Sequence, residues 1–214
     1  PADIDISNEL LHSLEEITLN FKDFGMLTPA YKDRSIHSNF YVWKDKGLKQ
    51  IINTQRKDYV LKEVDFIDGT ILINKQKIKN ENFDENFFIY FETMDLSKRL
   101  IDKNIKLFAC EELTFEHYGG QSHEKKFDFQ AQLSRSWHYN WSKFYYFKKH
   151  YNYFYALKKT FPNLRRALIS YFLNLILFTK KNSYQKRLLA LNELKGIIAS
   201  ATLRKSSYRV RYEN

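Results

Sequence analysis

The first 120 residues alternate between helix-like and strand-like patterns of apolar positions. Apolar residues recur at helical spacing from Leu10 to Ile17, after Ser7, whose side chain can cap a helix, so a helix is predicted over residues 8–18. A second amphipathic helix is predicted over residues 93–104. Runs of β-prone residues predict strands at 24–29, 39–43, 59–67, 70–74, 105–109 and 113–118. Helices that alternate with strands predict an α/β layer architecture.

The rest of the chain is predicted to be helical. Residues 128–160 are compatible with helix and rich in aromatic and basic side chains, and Pro162 is expected to break the chain and begin a new helix. The nearly continuous apolar run of residues 167–178 is shorter than the about 20 residues that span a bilayer, so it is predicted to be interfacial or buried. A last basic helix is predicted over residues 183–203.

Charge divides the chain into two halves. Residues 1–122 carry 16 Lys and Arg against 21 Asp and Glu, whereas residues 123–214 carry 19 against 4, a net charge of +15. Such asymmetry indicates a polyanionic partner for the second half, either nucleic acid or an anionic lipid surface. The lipid surface is favoured, because the basic helices are amphipathic and no helix-turn-helix, zinc or RNP signature is present. The single cysteine, Cys110, excludes an internal disulfide and fits a reducing compartment.

Residues 82–99 (NFDENFFIYFETMDLSKR) bring an acidic cluster to the start of a predicted helix. A carboxylate there, Glu92 or Asp95, can take a proton from an acceptor hydroxyl. Acidic groups in a first turn also complement the helix dipole, and Asp95 with Arg99 is an ordinary pair four residues apart. Spacing alone favours the structural explanation.

Three segments resemble motifs of the family 2 glycosyltransferases, in particular their bacterial rhamnosyltransferase-like and galactofuranosyltransferase-like branch. Residues 82–99 are similar to the signature GFDExFFxYxEDxDLxxR, and residues 64–75 (VDFIDGTILINK) are similar to the strand pair VDFVSGAxxLIRR. Residues 115–120 (FEHYGG) resemble VxHxGG. Residues 135–150 also resemble the segment that follows the catalytic domain in this branch, so the likeness covers about the first 150 residues.

The resemblance implies the C-terminal, acceptor-side portion of a GT-A (Rossmann-like) mixed-sheet domain over residues 1–127, followed by a basic helical tail over 128–214. It implies inverting transfer of a sugar, with rhamnose the commonest, from a nucleotide-sugar donor. The acceptor would be a polyprenyl-linked saccharide or polysaccharide of the cell envelope, on the inner face of the bacterial plasma membrane. A divalent metal, Mg or Mn, is expected. The nucleotide-binding half would precede the opening PADIDIS, so this piece alone is expected to be inactive.

One position departs from the family pattern. Thr93 stands where the family has the second acidic residue of its "ED" pair, which is credited with the base function. A threonine hydroxyl cannot act as a base near neutral pH. The base is therefore expected to be Glu92 or Asp95, unless the activity is altered or lost. The last possibility describes a degenerate transferase that acts as a binding module at a membrane surface.

The remaining candidate residues fall into three groups. The acidic D-x-D pair near the start and the histidine of the third motif are predicted metal ligands: Asp3, Asp5 and His117. Residues predicted to contact donor or acceptor are Asp68, Gly69, Thr93, Arg99, Gly119 and Gly120. Residues predicted to contact the membrane surface are Lys148, Lys149, Arg165, Arg166, Phe172 and Phe178.

Overall fold

The computed structural model describes residues 4–32, 38–42, 49–118, 124–177 and 182–208, which adopt a mixed α/β fold with several C-terminal helices. The chain forms two compact units. The first unit comprises residues 1–83 and 93–122, and the second comprises residues 84–92 and 123–214.

The first unit is built on a mixed sheet with order β4-β5-β8-β2-β7. The strands are β1 (Ile4–Asp5), β2 (Met26–Tyr31), β3 (Phe40–Tyr41), β4 (Lys49–Asn53), β5 (Asp58–Val64), β6 (Phe66–Ile67), β7 (Leu72–Ile73) and β8 (Leu107–His117). Its helices are α1 (Asn8–Asn20), α2 (Lys75–Ile78) and α3 (Glu92–Asp102). β8 runs parallel to β2 and antiparallel to β5, and β3 and β6 form a separate antiparallel pair.

β8 corrects one prediction, because the segments 105–109 and 113–118 do not form two strands. They belong to the single strand β8, whose pairing with β2 shifts register between Pro29 and Ala30. Pro29 is opposite Cys110, and Ala30 is opposite Thr114. The extra residues of β8 are absorbed as an irregularity in the ladder, so no turn is needed to separate two strands.

Helices cover both faces of this sheet. Side chains alternate across a strand, so Phe108 packs in one core cluster with Ile17 of α1, and its neighbour Leu107 packs in another with Leu96 and Leu100 of α3. The predicted cap of α1 is confirmed, since the Ser7 Oγ accepts a hydrogen bond from the Leu10 N–H at 3.1 Å.

The second unit contains a short 3-10 helix (Lys125–Phe127) and the helices α4 (Asp128–His150), α5 (Tyr153–Ile176) and α6 (Ser183–Ala201). Phe144, Ala156 and Ile197 form its core cluster, one from each helix. Within the described ranges, no helix has the length and apolarity to cross a bilayer.

The expected break at Pro162 is wrong, since Pro162 lies inside α5. The helix boundary falls earlier, where the Asn152 Oδ1 accepts from the Tyr155 N–H at 2.8 Å and so caps α5. An N-cap satisfies an otherwise unpaired backbone donor, so the Asn152 side chain marks the start of the helix.

Candidate active site

The loop after β6 carries two of the predicted donor or acceptor residues. Gly69 adopts φ +76°, and a Cβ at this position would approach the Tyr31 hydroxyl to 2.7 Å. Glycine is therefore favoured by the backbone conformation, and the Tyr31 side chain would have to shift for any other residue. The Gly69 N–H donates to the Asp68 Oδ1 at 2.8 Å, and Asp68 remains exposed to solvent.

A buried asparagine supports this loop from below. The Asp68 N–H donates to the Asn39 carbonyl at 2.7 Å, and Asn39 is 1% exposed. The Asn39 Nδ2 donates to the Thr28 Oγ1 and to the Pro29 carbonyl, each at 2.8 Å. The Thr28 Oγ1 in turn donates to the Thr70 carbonyl at 2.7 Å. Buried polar groups with full sets of partners hold a loop in one conformation.

Helix α3 contacts the same loop with two side chains one turn apart. The Thr93 Oγ1 donates to the Asp68 Oδ1 at 3.2 Å, and the Ile67 N–H donates to the Ser97 Oγ at 3.4 Å. Residues four apart share one face of a helix, so Thr93 and Ser97 reach the loop together. Asp68, Gly69 and Thr93, predicted separately, thus lie side by side.

Asp95 and Arg99 lie in a different environment from Asp68. Asp95 is 0% exposed, and its Oδ2 accepts from the Arg99 Nε at 2.9 Å. Arg99 also donates to the Glu81 carboxylate and, at 2.6 Å, to the Asn82 carbonyl. A hydrogen bond from Lys103, with the charges of Lys103 and Arg99, outweighs desolvation and lowers the pKa of Glu81. The group ties α3 to the loop before it.

The backbone just before Glu92, the other candidate base, is strained. Tyr90 and Phe91 have φ of 69° and 67°, a left-handed conformation that aromatic residues rarely adopt, and Glu92 follows them as the first residue of α3. Burial raises the pKa of Tyr90, and the Glu92 charge adds to it against the opposing effect of Arg135. Strain of this kind persists only where the surroundings enforce it, and it clusters at functional sites.

In the second unit, side chains of α4 contact the segment that leads to these residues. The Asp84 Oδ2 accepts from the Lys149 Nζ at 2.7 Å and from the Tyr145 hydroxyl at 3.0 Å. Burial raises the pKa of Asp84, but hydrogen bonds from Lys149 and Asn86 outweigh it, so the net shift is downward. The Ser142 Oγ donates to the Ile89 carbonyl at 2.9 Å. Lys149, predicted to contact a membrane, is therefore ion-paired with Asp84.

The predicted metal ligands are only partly within the described residues. Asp5 lies in β1 opposite Glu116, and the backbone of Ile4 pairs with that of His117. Glu116 is engaged by Lys32, and it accepts from the Tyr118 hydroxyl at 2.6 Å. The predicted residues outside the described part are Asp3, Gly119, Gly120, Phe178 and the side chain of His117. In the part of the chain that the structure describes, no three His, Cys, Asp or Glu side chains form a metal-binding group.

Three of the predicted membrane residues lie on α5. Arg165 and Arg166 line a groove of about 480 Å³ with Ile169, Leu173 and Lys186. Phe172 lies on the same helix and is 56% exposed, and Lys148 lies in the last turn of α4. Phe172 is exposed although it is large and apolar, so the helix offers an uncovered apolar surface.

Sequence reasoning missed Asn39, Thr28 and Ser97, which position the Asp68 loop. Single polar residues in β-prone or helical segments carry no signal of such a role, because it depends on contacts between distant parts of the chain. The sequence matches no protein-family model, no curated protein and no solved structure.

Proposed function

We propose that the chain is the acceptor-side part of an inverting nucleotide-sugar glycosyltransferase with a GT-A fold. The observation that carries the proposal is the 3.2 Å hydrogen bond between the Thr93 Oγ1 and the Asp68 Oδ1. It joins the segments 64–75 and 82–99, two of those that resemble this family. A mixed sheet with a helix on each face is compatible with that fold.

The proposed reaction is a single displacement at the anomeric carbon. The acceptor oxygen forms a bond to that carbon, the bond to the diphosphate breaks, and the nucleoside diphosphate leaves. The acceptor proton passes to a carboxylate, and the anomeric configuration inverts. The donor class is a nucleotide sugar such as dTDP-rhamnose, and the acceptor class is a polyprenyl-linked saccharide at the inner face of the plasma membrane. A Mg or Mn ion, with Asp3, Asp5 and His117 as its proposed ligands, would neutralise charge on the diphosphate.

Among the carboxylates, Asp68 and Glu92 suit the base role better than Asp95. Asp95 is fully buried and ion-paired with Arg99, so proton transfer to it would require the pair to open. Asp68 is exposed, and it occupies the position of a serine in the VDFVSG pattern. Thr93 occupies the position of an acid. Since Thr93 and Asp68 are hydrogen-bonded, we infer that the missing carboxylate is supplied from the opposite segment.

An exchange of these two residues tests the proposal. The protein encoded by the longest reading frame that contains this chain is assayed for nucleoside diphosphate release from a panel of nucleotide sugars. Asp68→Asn is expected to lower kcat by about 100-fold or more, the usual contribution of a general base. The double variant Asp68→Ser/Thr93→Asp is expected to recover part of that loss. Asp102→Asn, which changes an exposed acid of α3, serves as the matched control.

Three results would count against the proposal. No release from any donor favours the degenerate binding module that keeps the fold and lacks the chemistry. Retention of the anomeric configuration in the product refutes the single displacement. Full activity of Asp68→Asn, combined with loss in Glu92→Gln, assigns the base to Glu92 and refutes the role of Asp68.

A further inference from the structure

Helix α5 buries its small side chains and exposes its large apolar ones. Its buried residues are Ala156, Thr160 and Ala167. The strongly exposed apolar residues are Phe154 (80%), Phe161 (58%), Phe172 (56%) and Ile176 (74%). With the 40% exposed Leu168, these residues recur at intervals of seven or four, which is the spacing of one helix face. We name this stripe, residues 154, 161, 168, 172 and 176, the apolar face.

The charged residues of α5 all have one sign. The helix contains four cations, Lys158, Lys159, Arg165 and Arg166, and no Asp or Glu. Arg165 is four residues from Phe161 and three from Leu168 along the helix, which puts it within the apolar face. The groove beside this face is lined by Arg165 and Arg166 and by Lys186 of α6.

Cations also crowd the flank of α5 that is turned toward α4. The Lys143 Nζ donates to the Asn163 Oδ1 at 3.2 Å. Burial, followed by the charges of Arg166 and Lys159, lowers the pKa of Lys143. Arg166 contacts one acid, Glu193, at 3.0 Å. Positive charge therefore dominates this part of the second unit, and an approaching anionic surface is attracted to it.

We propose that the apolar face of α5 and the adjoining cationic groove dock the protein on an anionic lipid bilayer. From Phe154 to Ile176 the helix extends about 33 Å, so it can lie along a bilayer with its bulky side chains among the acyl chains. Arg165, Arg166 and Lys186 then meet headgroup phosphates. This inference rests on the proposed function only in its choice of the plasma membrane. The apolar face and the groove do not depend on sugar transfer.

The charge and the apolar character of this surface favour an anionic bilayer over a second copy of the chain or a nucleic acid. A second copy would bring the same cations to the interface, since the half of the chain that contains α5 has a net charge of +15. Nucleic acid would satisfy the cations but would leave Phe154, Phe172 and Ile176 without an apolar environment. A bilayer with anionic headgroups satisfies both parts of the surface.

The first experiment removes part of the apolar face. Binding of the whole chain is measured by co-sedimentation with phosphatidylcholine vesicles that contain or lack phosphatidylglycerol. Phe172→Ser/Ile176→Ser is expected to weaken binding to the anionic vesicles by at least about tenfold, because less apolar area is buried. The matched control is Leu11→Ser/Leu19→Ser, which changes two residues of α1 that are 52% and 67% exposed.

The second experiment removes charge from the groove. Arg165→Gln/Lys186→Gln is expected to weaken binding to the anionic vesicles by about thirtyfold and to reduce its dependence on salt. The matched control is Lys22→Gln/Lys75→Gln, which removes two exposed lysines of the first unit. Vesicles of phosphatidylcholine alone are expected to bind the unaltered chain much more weakly.

Several outcomes would overturn the inference. These are no binding to anionic vesicles, equal binding by the α5 variants and their controls, and equal binding to both vesicle types. Self-association in sedimentation equilibrium that is lost in Phe172→Ser/Ile176→Ser assigns the face to a second copy. RNA binding that weakens as much as vesicle binding in the same variant assigns it to nucleic acid. Vesicle binding needs no donor or acceptor, so a chain that binds as expected but transfers no sugar refutes only the transfer proposal.

Discussion

Replacing Arg99 by methionine tests whether Asp95 is a structural or a reactive carboxylate. The variant keeps an unbranched side chain and removes a charged partner of Asp95, which is fully buried. Removal of one partner from a buried ion pair costs about 3–5 kcal/mol. Arg99 is 21% exposed and Asp95 keeps other contacts, so we expect a loss of about 2–3 kcal/mol in the free energy of unfolding.

The assay is urea unfolding followed by circular dichroism. Lys98→Met is the control, because Lys98 is the neighbouring residue and pairs with Asp102, four residues away, at 2.8 Å on the exposed side of α3. Exposed pairs of this kind contribute about 0.3–0.5 kcal/mol. Equal losses in Arg99→Met and Lys98→Met would refute the structural role of the Asp95 pair.

A double-mutant cycle separates the pair from other effects of the arginine. If the buried pair dominates, Arg99→Met costs less in an Asp95→Asn background than in the unaltered chain, with a coupling of at least about 1 kcal/mol. If the contacts of Arg99 with Glu81 and Asn82 dominate, the two changes are additive. Additivity would return Asp95 to the list of candidate bases.

Three further variants test the second unit by denaturant unfolding. Gly196→Ala should lose about 1–2 kcal/mol despite the better helix propensity of alanine, because its Cβ would lie 2.3 Å from the Trp137 carbonyl oxygen; equal or greater stability would contradict this. Burial raises the pKa of Asp84, but hydrogen bonds from Lys149 and Asn86 together outweigh it and lower that pKa, so Asp84→Asn should cost about 1 kcal/mol at neutral pH and nothing once pH falls well below 3.8. Burial and nearby cations lower the pKa of Lys143, so Lys143→Met should be the more stable protein at neutral pH, with an advantage that shrinks as pH rises toward 10.5.

Local signals predicted α1, which has its own cap and amphipathic pattern, and also α6, which has no side-chain cap. The helix over residues 8–18 is confirmed as Asn8–Asn20, and that over 183–203 as Ser183–Ala201. The prediction differs from the structure in several places: α5 does not begin at Pro162, residues 105–118 do not form two strands, residues 59–67 form the two strands β5 and β6, and β4 was not predicted. Pro162 lies inside α5, which begins at the Asn152 cap, and the division of β8 disappeared because its pairing with β2 absorbs the irregularity.

The candidate site also contains residues that the sequence predicted and residues that it could not. Asp68, Gly69 and Thr93 were each predicted to contact donor or acceptor, and the structure places them side by side. The supporting role of Asn39 could not be predicted, because Asn39 and Asp68 are 29 residues apart in sequence and meet through the fold. The burial of Asp95 could not be predicted either. The spacing of an acidic residue in the first turn of a helix does not show whether its side chain is exposed or buried.

Exposure is the property that separates the acids near the start of α3. A base must meet the acceptor, and a carboxylate whose charge is already neutralised by an arginine is a weak proton acceptor. Asp95 has both disadvantages, whereas Asp68 is exposed and accepts from the Gly69 N–H and the Thr93 hydroxyl. Those two donors fix the direction of the Asp68 carboxylate, and a base must be positioned toward the acceptor hydroxyl to take its proton. If this chain transfers sugars, the position in the first unit that meets these requirements is the turn between β6 and β7.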